Sequence, residues 1–146
     1  MTSAVDLTQQ LVRFNTINPP GAEQPCARHL AAMLEAAGFK VDVVPFGEGR
    51  AQLIARIGGK ADELPLAFTG HIDTVPLGAQ AWSVDPHAAE IKEGKLYGRG
   101  SSDMKSGVAA FVVACIALVG KLKSSPGVIL VITAGSPSLT VTDMRL

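Results

Sequence analysis

Two stretches decide the reading of this chain: Phe68-Thr69-Gly70-His71-Ile72-Asp73-Thr74-Val75-Pro76 and Leu96-Tyr97-Gly98-Arg99-Gly100-Ser101-Ser102-Asp103-Met104-Lys105-Ser106-Gly107. The first ends an apolar run, Leu64 to Ile72, that reads as a strand. The second is a glycine-rich turn opening onto a long apolar segment that reads as a helix. An imidazole and two carboxylates thus stand at junctions between regular elements, where sites are commonly built. Residues two apart on an extended chain share a side, so Asp73 is placed to hold or tune the ring of His71. Asp103 falls where a helix dipole favours a carboxylate, and the flanking glycines let the backbone approach a ligand closely. Each feature alone has a plainer reading. His-x-Asp pairs are common on surfaces, and an aspartate before a helix is usually a cap.

Two nucleotide readings of the turn fail. A Walker loop needs glycine directly before its lysine, where Met104 stands. A dinucleotide fingerprint from Gly98 needs glycine at the position held by Asp103. No Gly-x-Ser-x-Gly elbow surrounds Ser101 or Ser136, which argues against a serine hydrolase.

Outward from these stretches, helices and strands alternate. Val5 to Phe14 reads as a helix with Leu7, Leu11 and Phe14 on one face, broken by Asn18-Pro19-Pro20-Gly21. Pro25 to Ala37 reads as a second helix, with Gly38 as its C-cap. Phe39 to Phe46 and Ala51 to Ile57 read as strands. Leu64 to Thr69, apolar on both sides, reads as a central strand covered by helices. Ala89 to Lys92 and Lys95 to Tyr97 flank the hairpin signal Glu93-Gly94. Residues 103–119 read as a helix buried on most sides, and Val128 to Thr133 as a further core strand. The expected fold class is α/β: a layered mixed β-sheet with helices on both faces. Sites in such sheets lie beyond strand ends, where His71 and Asp103 fall.

Composition narrows the function. The chain has 146 residues, enough for one domain, and at 47% hydrophobic it is not disordered. Thirteen basic and thirteen acidic residues balance, so neither nucleic acid nor a membrane surface is an expected partner. The longest apolar run, Val108 to Val119, is shorter than the ~20 residues a span needs. Residues 1–10 lack the basic start and apolar core of a signal peptide, so a cytoplasmic location is expected. Cys26 and Cys115 have no metal-type spacing and read as small core residues without a disulfide. His29 and His87 read as surface or helix-face histidines. Arg99 is expected to pair with a carboxylate near the turn, Lys105 to be a first-turn cation with a local partner, and Trp82 either to pack over the loop mouth or simply to anchor the loop.

The order of strand, Gly-His-x-Asp-Thr-Val-Pro, tryptophan loop, Gly-Arg-Gly-x-x-Asp-Met-Lys-Ser-Gly and helix resembles the zinc-dependent M20 peptidase and deacylase family. That family includes acetylornithine deacetylase, succinyl-diaminopimelate desuccinylase and glutamate-releasing carboxypeptidases. The likeness runs from about Leu7 to Gly135. It implies a metal-dependent amidohydrolase acting on small-molecule N-acyl amino acids or peptides, with two zinc ions; cobalt or manganese would also suit such donors. Carried over by position, His71 is a zinc ligand and Asp103 the carboxylate bridging both ions. Asp73 is a catalytic residue supporting the site electrostatically, and the peptide bond after Asp103 is cis.

The sequence departs from that pattern after Gly135. The family places two consecutive glutamates there, a proton-transfer base and a zinc ligand; this chain has Ser136 and Pro137. The expected organisation is therefore residues 1–135 as the N-terminal portion of a catalytic domain and residues 136–146 as a divergent tail. Two metal ligands are fewer than the three that a catalytic zinc wants. On this reading the chain is truncated or frame-shifted, inactive alone, and inclined to form homo-oligomers through exposed strand surface. A second reading, from another class, is a non-catalytic remnant kept as a binding or association module.

Overall fold

The computed structural model describes residues 2–59 and 63–135. Helix α1 (Ala4–Val12) starts at Ser3, whose hydroxyl accepts from the Asp6 N–H at 3.1 Å, while Asp6 Oδ2 accepts from the Ser3 N–H at 3.0 Å. This reciprocal cap satisfies orphan donors at the helix start. Leu7, Leu11 and Val12 then face inward and are fully buried. Helix α2 (Gln24–Ala36) has proline in its first turn and buries Cys26, Ala27, Leu30, Ala31 and Leu34.

Strands β1 (Lys40–Gly47) and β2 (Arg50–Ile57) form an antiparallel hairpin, with an irregular step between Pro45 and Gly47. Strand β3 (Leu66–His71) follows. Strands β4 (Ile91–Lys92) and β5 (Lys95–Leu96) make a small separate hairpin. Glu93 and Gly94 both take positive φ at its tip, the geometry that such a two-residue turn requires. A kinked turn, Ser101–Lys105, leads into α3 (Ser106–Ala117) and the short α4 (Val119–Leu122), and β6 (Val128–Thr133) closes the order.

The main sheet runs β1-β2-β6-β3. β6 pairs antiparallel with β2 and parallel with β3, so the mixed α/β sheet is as expected. Registered partners Leu53 and Ile132, Ala55 and Leu130, and Ile57 and Val128 share one face. All six are buried, in one cluster with side chains from α1, α2 and α3. Gly70 lies on that face. A Cβ there would sit 3.0 Å from Val108, 3.1 Å from Met104 and 3.2 Å from Phe111, so a larger residue would make these side chains give way where α3 packs on β3.

Three expectations need correction. Helices were expected on both faces; among the described residues they cover one. The other carries half-buried Ile54, Ile129 and Val131 and the partly exposed Arg56–Asp42 ion pair, at 2.9 Å. β3 was expected at the centre; it is the last strand in the described order, with Ala67 and Thr69 exposed, and β6 is central instead. Apolar residues on both faces of a strand report only that both sides get covered, not by what. Finally, the helix expected from residue 103 begins at Ser106, and Ala110, Ala114 and Leu118 are exposed rather than buried. Cys26 and Cys115 are buried and free, as expected. No helix among the described residues is long and apolar enough to cross a membrane. The expected divergent tail, including Ser136 and Pro137, lies outside the described residues.

Candidate metal centre

β3 ends at His71, and the chain beyond it is stitched on both sides. Ile72 N–H donates to Thr133 O at 2.9 Å, Thr16 Oγ1 to Ile72 O at 2.6 Å, Thr74 N–H to Thr16 O at 2.9 Å and Asn18 N–H to Thr74 O at 2.8 Å. The segment carrying His71 and Asp73 is therefore fixed between the Asn-Pro-Pro-Gly break and the end of β6.

The glycine-rich turn is fixed independently. Gly100 sits at φ +84, and a Cβ there would lie 2.6 Å from the Thr74 methyl; only glycine brings the turn this near the β3 segment. Its carbonyl accepts from the Lys105 N–H at 3.0 Å. Between them the backbone kinks at Asp103 and Met104, which leave helical geometry and are joined by a cis peptide bond, as the resemblance implied.

The two segments meet at one ring. His71 Nε2 lies 3.1 Å from Asp103 Oδ1. Its Nδ1 lies 3.1 Å from both the main-chain oxygen and Oδ1 of Asp73. Only the main-chain oxygen has hydrogen-bond geometry, and Oδ1 is buried with no donor among the described residues. Asp73 Oδ2 accepts weakly from Asn18 Nδ2 at 3.4 Å. An imidazole held at Nδ1 by a backbone oxygen or carboxylate presents Nε2 outward, the usual arrangement of a metal-binding histidine. Both His71 and Asp103 line a cleft of ≈ 260 Å³ with Thr74, Arg99 and Ser102. So the structure brings His71, Asp73 and Asp103 together. Asp73 touches the ring rather than the open cleft side of Nε2, and Asp103 is a projecting carboxylate rather than a helix cap: α3 has no side-chain cap.

This donor set suits a divalent cation. One nitrogen and one carboxylate oxygen converge, and the carboxylate is 85% exposed, with no hydrogen-bond donor to its second oxygen among the described residues. It is incomplete, because among the described residues no group of three His, Cys, Asp or Glu side chains is placed to hold a metal ion: Asp73 lies on the Nδ1 side of the ring.

Several supporting residues escaped the sequence reading. Lys105 was expected to be a first-turn cation with a local partner; it is fully buried, and its Nζ donates at 2.9 Å to the distant Phe14 O. Burial pushes its ammonium down to about 8, against the pull of Cys26, Asp73 and Glu23. Glu23, also fully buried, takes two bonds from Arg50, Nε at 3.0 Å and Nη2 at 3.2 Å. Arg50 Nη2 also donates to Ala134 O at 2.7 Å, tying the end of β6 to this pair. A Cβ at Gly135 would sit 2.8 Å from Asp73 Oδ2, so the chain leaves β6 against the site. Arg99 has no carboxylate partner among the described residues. It stacks over Trp82, 5.0 Å from the ring centre, and donates to Pro76 O at 3.0 Å. The one signal for any of these was charge, which does not say where a side chain points. His29 contacts Gln10 at 2.9 Å from the face of α2, as expected; His87, expected at a surface or helix face, is instead half-buried in a turn, 3.4 Å from the Val12 carbonyl.

A family model described as peptidase family M20/M25/M40 matches residues 67–135, which hold both motifs. Residues 67–135 belong to peptidase family M20/M25/M40. Over 137 residues the chain is 39% identical to a succinyl-diaminopimelate desuccinylase of Wolbachia pipientis subsp. Culex pipiens, covering 92% of this chain and 33% of the relative. It is 44% identical over 133 residues to succinyl-diaminopimelate desuccinylase 1 of a Ruegeria species, covering 90% of this chain and 34% of that one. The M20 metallo-carboxypeptidase Sso-CP2 of Sulfolobus solfataricus shares the fold, with a TM-score of 0.76 at 24% identity over 92% of this chain and 31% of its own. The chain thus spans about a third of the length of these M20 relatives.

Proposed function

We propose that this M20 chain supplies the first half of the metal centre of an amide hydrolase that releases an acyl group or residue from N-acyl amino acids or small peptides. The observation that carries the reading is the convergence of His71 Nε2 and Asp103 Oδ1 at 3.1 Å, with Nδ1 anchored on Asp73. The relatives at 39% and 44% identity are desuccinylases, which favours an N-succinyl amino acid among the substrates.

His71 through Nε2 and Asp103 through its carboxylate would hold the ion, with zinc the favoured identity and cobalt or manganese compatible. When bound, such an ion polarises the amide carbonyl and lowers the pKa of a coordinated water to about 7. Asp73 is the positioning residue: it fixes the ring orientation and keeps the Nε2 lone pair turned to the cleft. Asn18 steadies Asp73 from the other side. The described residues offer no further cleft carboxylate to act as proton-transfer base, and two ligands do not complete a catalytic site.

Calorimetric titration of the 146-residue polypeptide with zinc tests this. Weak binding at one site, lost in His71→Ala, is expected, together with no hydrolysis of an N-succinyl amino acid. Two tight sites would overturn the half-centre reading; no zinc response at all would overturn the metal reading. The open sheet face, with Leu64 and Leu66 strongly exposed nearby, favours homo-oligomers. A monomer by light scattering at high concentration would rule that out.

A further inference from the structure

The cleft contains a cation that, among the described residues, neither the metal centre nor an ion pair uses. Arg99 lines it beside His71 and Asp103. Its backbone is pinned by an N–H bond to Pro86 O at 2.7 Å and flanked by Gly98 and Gly100, so the side chain springs from a fixed point. The guanidinium lies against the face of Trp82, 5.0 Å from the ring centre, and Nη2 donates to Pro76 O at 3.0 Å. These contacts orient the plane but occupy one donor. Nε is buried with no acceptor among the described residues, and no carboxylate there lies within ion-pair distance of the group. A planar fork with unmet donors, oriented by stacking on an aromatic ring, suits bidentate binding of a carboxylate.

We propose that Arg99 is the carboxylate-recognition residue of this cleft, holding a free carboxylate of the acyl amino acid while the amide faces His71 and Asp103. This rests on the substrate class proposed above. The charge pattern sets the polarity: within one lining Asp73 and Asp103 repel an anion and Arg99 attracts it, with Trp82 backing the guanidinium. It also adds a reason for Trp82, the only tryptophan in the chain, to stand in that loop.

Trp82 is the reporter. The 146-residue protein is titrated with succinate in the presence of EDTA, with ionic strength held by chloride, and tryptophan emission is followed. A saturable change is expected with succinate, absent with neutral succinamide, abolished in Arg99→Gln and at least tenfold weaker in Arg99→Lys, which keeps charge but loses the fork. Arg99→Lys also decides the matter if the glutamine variant does not fold. No saturable change, an undiminished change in both variants, or an equal response to succinamide or phosphate would overturn the assignment. Because EDTA removes divalent cations, this result is independent of the zinc titration. Failure here leaves the His71–Asp103 reading standing, and failure of zinc binding leaves Arg99 to be judged on its own data.

Discussion

Asp103 and Lys105 are two residues apart in one glycine-rich turn, yet the side chain of the first is 85% exposed and the second is fully buried. The kink at Asp103 and Met104 separates them. It turns one carboxylate out toward His71 and drives the next charged side chain inward to the carbonyl of Phe14. The same division runs through the rest of the site. Its rim, His71 and Asp103, is solvated and makes few bonds. The frame behind it is inward-facing: Glu23, Arg50 and Lys105 are bonded, and Glu23, Lys105 and Cys26 are fully buried. A metal-binding carboxylate must give up its neighbours to an incoming ion. A buried charge cannot do so, because losing its partner leaves it desolvated and unpaired. Rim and frame should therefore fail in different ways, and four measurements probe that division.

The largest effect is expected in the frame. Glu23→Ala removes the carboxylate that satisfies Arg50 and should cost about 3–5 kcal/mol of stability, measured by urea unfolding. A loss under about 1 kcal/mol would put Glu23 outside the frame. Next is the boundary between the two regions. Asp73→Asn should weaken zinc binding, read from the His71 ring signals by NMR, by about 10–100-fold, because the ring loses its anionic support. An unchanged midpoint would remove Asp73 from the site.

The third measurement uses pH. Burial raises the Cys26 thiol from 9.0 to about 12. Above pH 9 the unfolded chain sheds this proton and the folded chain keeps it, so stability falls as pH rises toward 12. Between pH 8 and pH 10 wild type should lose about 1.4 kcal/mol more than Cys26→Ala. Buried Lys105 acts in the opposite sense, its lowered ammonium adding stability as pH rises above about 8; it is present in both proteins and largely cancels in the comparison. Equal pH slopes for the two proteins would show that the thiol is not buried in solution. The smallest stability effect is expected at the rim. Asp103→Ala should leave unfolding within about 0.5 kcal/mol of wild type while abolishing the zinc response of His71. A large stability loss there would erase the distinction between rim and frame.

Much of this fold can be read from residue patterns. Alternation of Val41 and Val43 with Lys40 and Asp42 in Phe39 to Phe46, the apolar stripe of Leu7 and Leu11, and Gly38 after the second helix place elements within a residue or two of where they stand. Those signals are local: period, cap and turn chemistry act over a few residues. The strand order is not local. Leu64 to Thr69 is apolar enough for a central strand, yet β6, arriving some sixty residues later, takes the place between β2 and β3. Arg99 and Lys105 show the same limit at the site. Their charges are evident in the sequence, but whether a long cation stacks on Trp82 or tunnels to Phe14 depends on which distant segment packs against it.

By itself the sequence determined that His71, Asp73 and Asp103 stand in two specific motifs of an α/β chain, within residues that match the M20 model, because motif spacing and hydrophobic period are written residue by residue. The tertiary structure alone decided that Nε2 of His71 meets Asp103 while Nδ1 is held by Asp73, and that one face of the sheet, among the described residues, is left without helices. Those outcomes depend on how segments thirty or more residues apart are brought together, and that is set by packing β3, β6 and the glycine-rich turn around one core.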